Sequence, residues 1–308
     1  MPSILAFGSY LPPRVVGNDE LAAQLGCDAA WILQVSGIEE RRVADGESVV
    51  TMGVQAARAC LAQISVPVGL VLVSSGTGEK RFPGPAAAIA MQLGLGGIPA
   101  IDIPIASAGS LFALALASSL ASTWGNVLVV ATEKMSAAAS MDKNTAILFG
   151  DGAGACLVSP GPGALQILAS VLHSDGEGTE ALQLPLVGPV LMNGFAVIRH
   201  ASGKLPAVIT EALLKADIPV SAVRAFLMHQ ANQNLIDRVA RAIGVPAAAF
   251  YSNIRRYGNT SSASMLIAAA EWFPEADLLP GEIVCFAAFG AGFHWGALVA
   301  RAQQARLL

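Results

Sequence analysis

The sequence predicts an α/β protein in which two similar halves build one layered core. Three observations carry that prediction. Short strand-like runs that are apolar on both faces alternate with helical stretches, the pattern of strands covered on both sides by helices. A glycine-rich pattern recurs near the end of each half. Charged residues form only 13% of the 308-residue chain against 54% apolar residues, enough for a large core and, with so little charged surface, for a subunit interface.

The elements follow in order. GLVLVSS (69–75) reads as a strand, followed by an Ala-rich helix near 84–94. AIDIPIA (100–106) is a strand before a helix from about Gly109 to Ser122, and NVLVVAT (126–132) is the next strand. No charged residue occurs from Ile103 to Thr132, a run long enough to span a bilayer. Pro104, Gly109, Gly125 and Asn126 divide it into strand, helix and strand, so a buried central helix is the expectation. ILFGDGAGACLVS (147–159) is echoed by CFAAFGAGFHWGALVA (285–300), each an FG, a glycine-rich turn and an apolar strand. Internal repetition sets architecture. With the Gly/Pro-rich SPGPGA (159–164) between them, the halves are placed at 1–159 and 160–308.

Several function classes are disfavoured. The net charge of −4 gives no nucleic-acid footprint. Cys27, Cys60, Cys156 and Cys285 form neither a CxxC pair nor a zinc-spaced cluster, so buried free thiols are expected and no metal or cofactor is implied. The opening MPSILAFGSYLPP lacks the basic region and long apolar core of a secretion signal, and a cytoplasmic location is expected.

The candidate chemistry rests on few residues. Of four histidines (His173, His200, His229, His294), His229 lies at the end of the strand-like AFLM, where α/β folds place reactive groups. Asn259 lies in the glycine turn YGNTSSAS. Ser107 lies in IASAGSLF, where a helix start offers N–H donors and a positive dipole end. Each has a structural alternative: a packed histidine, a turn asparagine, a capping serine. On the residues alone these alternatives stay open.

Taken together, HQAN (229–232), YGNTSSAS (257–264), FGDGAGA (149–155), LMNG (191–194), FGAGFHWG (289–296) and GIEERR (37–42) resemble, in order and spacing, the β-ketoacyl-ACP synthase III family of the thiolase superfamily. The resemblance covers nearly the whole chain. It implies a five-layered αβαβα fold and a homodimer that binds acyl-CoA and either malonyl-ACP or malonyl-CoA. A nucleophile at the start of a buried helix takes the acyl group. His229 and Asn259 match the pair that binds the malonyl thioester carbonyl and promotes decarboxylation. A backbone N–H of Phe289 or Gly290, with that of Ser107, matches the oxyanion hole. Phe82 matches the phenylalanine that lines the partner's acyl pocket, and Trp31 and Lys143 match the pair that holds the CoA adenine.

The same resemblance aligns Ser107, through Asp102, Ala106, Ala108 and Gly109, with the family's nucleophilic cysteine. A thiol, with a pKa of about 8.5, is ionised readily at a helix N-terminus. An alcohol needs a general base during attack, and His229 is the one candidate the sequence offers. Three readings follow: an engineered Cys-to-Ser variant, a natural serine in a starter-unit condensing enzyme or acyltransferase, or a non-catalytic subunit of a heteromeric synthase. Transfer of the acyl group to an alcohol or amine without condensation is the alternative reaction. Val35 and Asn234 stand where the family often has arginines that meet CoA phosphates and the carrier protein, and Arg238, Arg241, Arg255 and Arg256 are candidates for a substitute basic rim.

Overall fold

The computed structural model describes residues 1–139 and 142–303. Nine strands make the main sheet: β1 (Ser3–Tyr10), β2 (Val68–Ser74), β3 (Ala100–Ile103), β4 (Asn126–Lys134), β5 (Asp151–Ser159), β6 (Leu165–Ser174), β7 (Val223–Met228), β8 (Ile283–Gly290) and β9 (His294–Ala302). Six helices matter for the site: α1 (Val49–Leu61), α2 (Ala86–Gln92), α3 (Gly109–Trp124), α4 (Gly194–Lys215), α5 (Gln233–Ile243) and α6 (Ser264–Trp272).

The strand order is β7-β8-β9-β6-β1-β5-β4-β2-β3. β3, β2 and β4 are parallel neighbours, and β5 and β1 continue antiparallel. On the other side β7 and β8 are parallel, while β9 and β6 are antiparallel. Only the short pairing Ser3↔Gln166 and Ile4↔Leu165 joins the two sets. The echoed segments occupy like places: β5 lies between β4 and β1, and β9 between β8 and β6, each antiparallel to both neighbours.

Helix contacts give the layers. α1 packs on β1, β4 and β5, and α4 on β6, β8 and β9. Between them α3 touches β2, β4 and β5 of one set and β6, β8 and β9 of the other, while α6 touches β1, β5, β7 and β8. The result is the five-layered, thiolase-like order: α1, one strand set, α3 with α6, the other set, α4.

Local sequence accounts for these elements. The Ser48/Thr51 capping box starts α1. Both faces of β4 are buried, with Val127 to Ala131 fully inaccessible, which explains its unbroken Val/Leu run. α3 is sandwiched between sheets, so small buried residues such as Ala113, Ala117 and Ala121 let both come close. That explains the charge-free run, and no helix among the described residues is long and apolar enough to cross a membrane. The glycine-rich FGDGAGA has a packing reason too. A Cβ on Gly154 would meet Leu266 Cβ at 2.6 Å and Ile267 N at 2.9 Å, so β5 and α6 approach at glycine distance.

Candidate active site

The turn that carries Ser107 joins β3 to α3. Ser107 has φ 61°, and Ala108 N–H donates to Ala106 O at 2.7 Å. A bond from residue i+2 back to i around a positive φ is the rarer, more strained γ-turn. It turns a side chain out at the start of a 16-residue helix, with Ala108 as its N-cap and no side-chain cap in the way. Gly290, at the end of β8, closes the turn from the other side. A Cβ there would meet Ala106 O at 2.2 Å and Ala108 N at 2.8 Å. The Ser107 N–H, expected as an oxyanion donor, donates to Ser261 Oγ at 3.0 Å.

His229 follows β7 directly, and its N–H donates to Ala287 O of β8 at 2.9 Å. Its Nδ1 lies 2.6 Å from Ser264 Oγ, the first residue of α6, and that oxygen also accepts the Gln230 N–H at 3.0 Å. Burial holds the imidazole down to about 4, so it is neutral at physiological pH. The Gln230 side chain is spent on structure, donating to Met228 O and Tyr251 O and accepting from Ser252 and Asn253. Asn232 caps α5.

Asn259 is fixed by its backbone. Its N–H donates to Leu148 O at 2.8 Å and its carbonyl accepts from Gly150 N at 3.1 Å. Its Oδ1 accepts from Ser261 N at 2.8 Å, which leaves the Nδ2 donor for the cleft. The neighbouring Ser262 hydroxyl donates to Glu133 Oε1 at 2.6 Å. Glu133, at the end of β4 and fully buried, also accepts from Gly76 N and Thr77 Oγ1. Burial pushes its carboxyl up against the opposing pull of these donors. It ties the Gly76–Thr77 loop to the turn that holds both Asn259 and the Ser107 backbone.

One cleft brings these residues together. Ser107, His229, Asn259 and Phe289 line it, along with apolar walls that include Met135, Leu184, Met192 and Leu205. Its volume is about 1030 Å³ counted to the open mouth. A second, outer cleft shares Ile198, Asn232 and Leu235 with it and is lined by Trp31, Val35, Asn234 and Arg238. Lys143 Nζ lies 5.5 Å from the centre of the Trp31 ring.

The remaining candidates are placed as follows. Asn234 donates its amide to Gln34 O and Val35 O, so these two positions lock the helix Ala29–Ser36 to α5. Arg255 is paired with Glu39 and Arg256 with Glu271; of the other two, Arg238 lines the outer cleft, whereas Arg241 lies exposed in the last turn of α5 and does not line it. Phe82 is 86% exposed and is not among the residues lining its own chain's cleft. Of the four cysteines expected to be buried, Cys60, Cys156 and Cys285 are, and burial pushes the Cys60 and Cys285 thiols up to about 12; Cys27, just past the helix Asn18–Leu25, is only half-buried. Sequence reasoning missed Ser261, Ser264 and Glu133. Its one available signal was the run of serines after Asn259, which reads as helix capping.

Comparison with known proteins gives the family and the fold. The family profile "3-Oxoacyl-[acyl-carrier-protein (ACP)] synthase III" matches residues 101–176, and its C-terminal counterpart matches 213–302. The chain is 34% identical over 304 residues to the β-ketoacyl-[acyl-carrier-protein] synthase III of Aquifex aeolicus, covering 97% of this chain and 98% of that one. It is 35% identical over 318 residues to the enzyme of the same name from Paramagnetospirillum magneticum, with 97% and 98% covered. The crystal structure of the Aquifex aeolicus protein superposes with a TM-score of 0.94 over 98% of this chain and 100% of its own. A priming β-ketosynthase from a polyketide biosynthetic pathway superposes at 0.92, with 32% identity, 99% of this chain and 97% of that one covered. With that identity sustained over almost the full length of both chains, and the same fold beneath it, this chain belongs to the 3-oxoacyl-[acyl-carrier-protein] synthase III family.

Proposed function

We propose that this chain works at the starter step of fatty-acid or polyketide assembly: it transfers an acyl group from acyl-CoA to residue 107, then condenses that group with a malonyl thioester. The observation that carries the reading is the apolar cleft in which Ser107, His229 and Asn259 meet, with Trp31 lining the outer cleft and Lys143 near the Trp31 ring. An apolar passage of that kind suits a pantetheine arm and an aliphatic acyl group. No cofactor is needed.

In the first half-reaction the residue-107 side chain attacks the thioester carbonyl and CoA leaves as its thiol, taking up the proton that the nucleophile loses. In the second, a malonyl thioester occupies the cleft with its carbonyl facing His229 and the Asn259 amide. Loss of CO₂ leaves an enolate whose oxygen these donors stabilise. Its carbon attacks the acyl carbonyl, and the residue-107 oxygen or sulfur departs as its anion and takes up a proton from water as the new carbon–carbon bond completes the 3-oxoacyl thioester. Phe289 and Gly290 are proposed for the oxyanion hole of the acyl carbonyl. The Ser107 N–H can join them only by giving up Ser261.

Ser107 is proposed to stand where a cysteine nucleophile would act. The chain is proposed to work as a cytoplasmic homodimer of protomers with halves 1–159 and 160–308. Phe82 would enter the partner's acyl pocket. Malonyl-ACP or malonyl-CoA is the proposed second substrate.

Incubation with acyl-CoAs followed by intact-mass measurement tests this. An acyl adduct on Ser107, or on the Ser107→Cys variant, is expected, with malonyl thioester decarboxylation lost in His229→Ala. If neither form is acylated by any acyl-CoA or acyl carrier, the enzyme reading fails.

A further inference from the structure

His229 has two ring nitrogens, and its chemistry depends on which one carries the proton. Nδ1 is 2.6 Å from Ser264 Oγ in a buried site. That oxygen already accepts the Gln230 backbone N–H, a group that can only donate. A serine hydroxyl has one proton to give. Among the described residues, His229 Nδ1 is the only acceptor within reach of that proton. If Nδ1 carried a proton instead, the hydroxyl would accept twice and its own O–H would be buried without a partner, an arrangement folded proteins avoid.

We propose that Ser264 is a positioning residue: its hydroxyl donates to His229 Nδ1 and holds the imidazole in the tautomer whose proton sits on Nε2. Nε2 is the nitrogen left to face the cleft, and it faces it as a donor. Two consequences follow, both resting on the function proposed above. The N–H meets the thioester carbonyl and then the enolate oxygen, so the condensing half-reaction is served. The same nitrogen has no lone pair for the Ser107 proton, so His229 is withdrawn as the base that an alcohol nucleophile needs. The network around His229 is therefore built for decarboxylation rather than for activating Ser107.

The test uses the full-length chain with ¹⁵N-labelled histidine. Long-range ¹H–¹⁵N correlation near neutral pH reads the proton position on each of the four histidines, with His229 assigned by the signal missing from His229→Gln. The expected result is an unprotonated, hydrogen-bonded Nδ1 and a protonated Nε2. In Ser264→Ala the Nδ1 signal should move to that of a nitrogen without a donor. In the Ser107→Cys background, malonyl thioester decarboxylation should fall about tenfold or more in kcat with little change in KM, the scale of losing an orienting partner behind a catalytic group. Ser264→Thr, which keeps the hydroxyl, should restore most of it. A protonated Nδ1 in the unmodified chain overturns the proposal, and so does a Ser264→Ala variant with an unmoved Nδ1 signal and undiminished decarboxylation. Should the tautomer be as stated while no form decarboxylates malonyl thioesters, the condensing function fails and the Ser264 assignment stands. If Ser264→Ala does not fold, the spectrum of the unmodified chain still decides.

Discussion

Replacing Gly290 with alanine should damage the site more than its one added carbon suggests. The backbone at Gly290 is not in the left-handed region, so alanine is conformationally permitted and only space opposes it. The new Cβ would sit 2.2 Å from Ala106 O, about 1.2 Å inside the ~3.4 Å where ordinary contact begins. It would also lie 2.8 Å from Ala108 N and 3.0 Å from Ser107 Cβ. All three neighbours belong to the strained turn that presents Ser107, and two are backbone atoms with no rotamer to escape into. β8 and the turn must therefore separate by roughly an ångström. Overpacking of this kind costs about 1–3 kcal/mol. A displacement of that size between reacting groups costs about 10²-fold in rate. Denaturant unfolding of Gly290→Ala gives the first quantity. Acyl-adduct formation in a Ser107→Cys background, with and without the second change, gives the second. Unchanged stability together with an unchanged acylation rate would refute the claim that contact with Gly290 sets the position of residue 107.

Three further outcomes are expected. The His229 imidazole is held at about 4 against an ordinary 6.5, so the unfolded chain takes up a proton before the folded one; its contribution to stability is full above pH ~6.5 and lost between ~6.5 and ~4, up to about 3 kcal/mol, and unfolding curves for the unmodified chain and His229→Gln should converge over that window and not run parallel. Glu133→Gln turns a donor toward at least one of Gly76 N, Thr77 Oγ1 and Ser262 Oγ, which should lower the unfolding free energy by about 1–3 kcal/mol; a change within ~0.5 kcal/mol would show that the carboxyl does not anchor the turn. The exposed Phe82 should be covered in a dimer, and sedimentation showing a stable monomer at low micromolar concentration would remove its cross-subunit role.

What the sequence reveals divides by the range of the physics involved. Strands apolar on both faces and an uncharged central helix are local patterns with one packing solution, and the structure has β4 and α3 where those patterns lie. The candidates Ser107, His229 and Asn259, which one cleft brings together, lie in motifs that are short sequence events: a strand–turn–helix run, a strand-end histidine and a glycine turn. Their supports were not legible. Ser261 reaches Ser107 across 154 positions, Ser262 reaches Glu133 across 129, and Ser264 reaches His229 across 35. Nothing in a serine after a glycine turn distinguishes a helix cap from a group that orients an imidazole. The rim shows the converse: four arginines looked equivalent in sequence, yet Arg255 and Arg256 meet carboxylates from Glu39 and Glu271 that no local pattern brings near them.

This division bears on Ser107 itself. The turn that presents it is specified by backbone: a positive φ, the Ala108-to-Ala106 bond and the close approach of Gly290. None of these involves the side-chain oxygen. A serine and a cysteine at position 107 would therefore share one turn and one fold, and the folded geometry carries no record of which atom it serves. The chemistry does distinguish them. A thiol at the N-terminus of α3 can ionise with help from the helix dipole, whereas an alcohol must find a base. The nearby histidine is neutral and weakly basic, and its Nδ1 is occupied by Ser264. Ser107→Cys is thus expected to leave unfolding free energy nearly unchanged while raising the rate of acyl-adduct formation severalfold or more. A serine form acylated as fast as the cysteine form, with that rate lost in His229→Gln, would mean that the imidazole does act as the base and that the hydrogen bond from Ser264 is not what governs it.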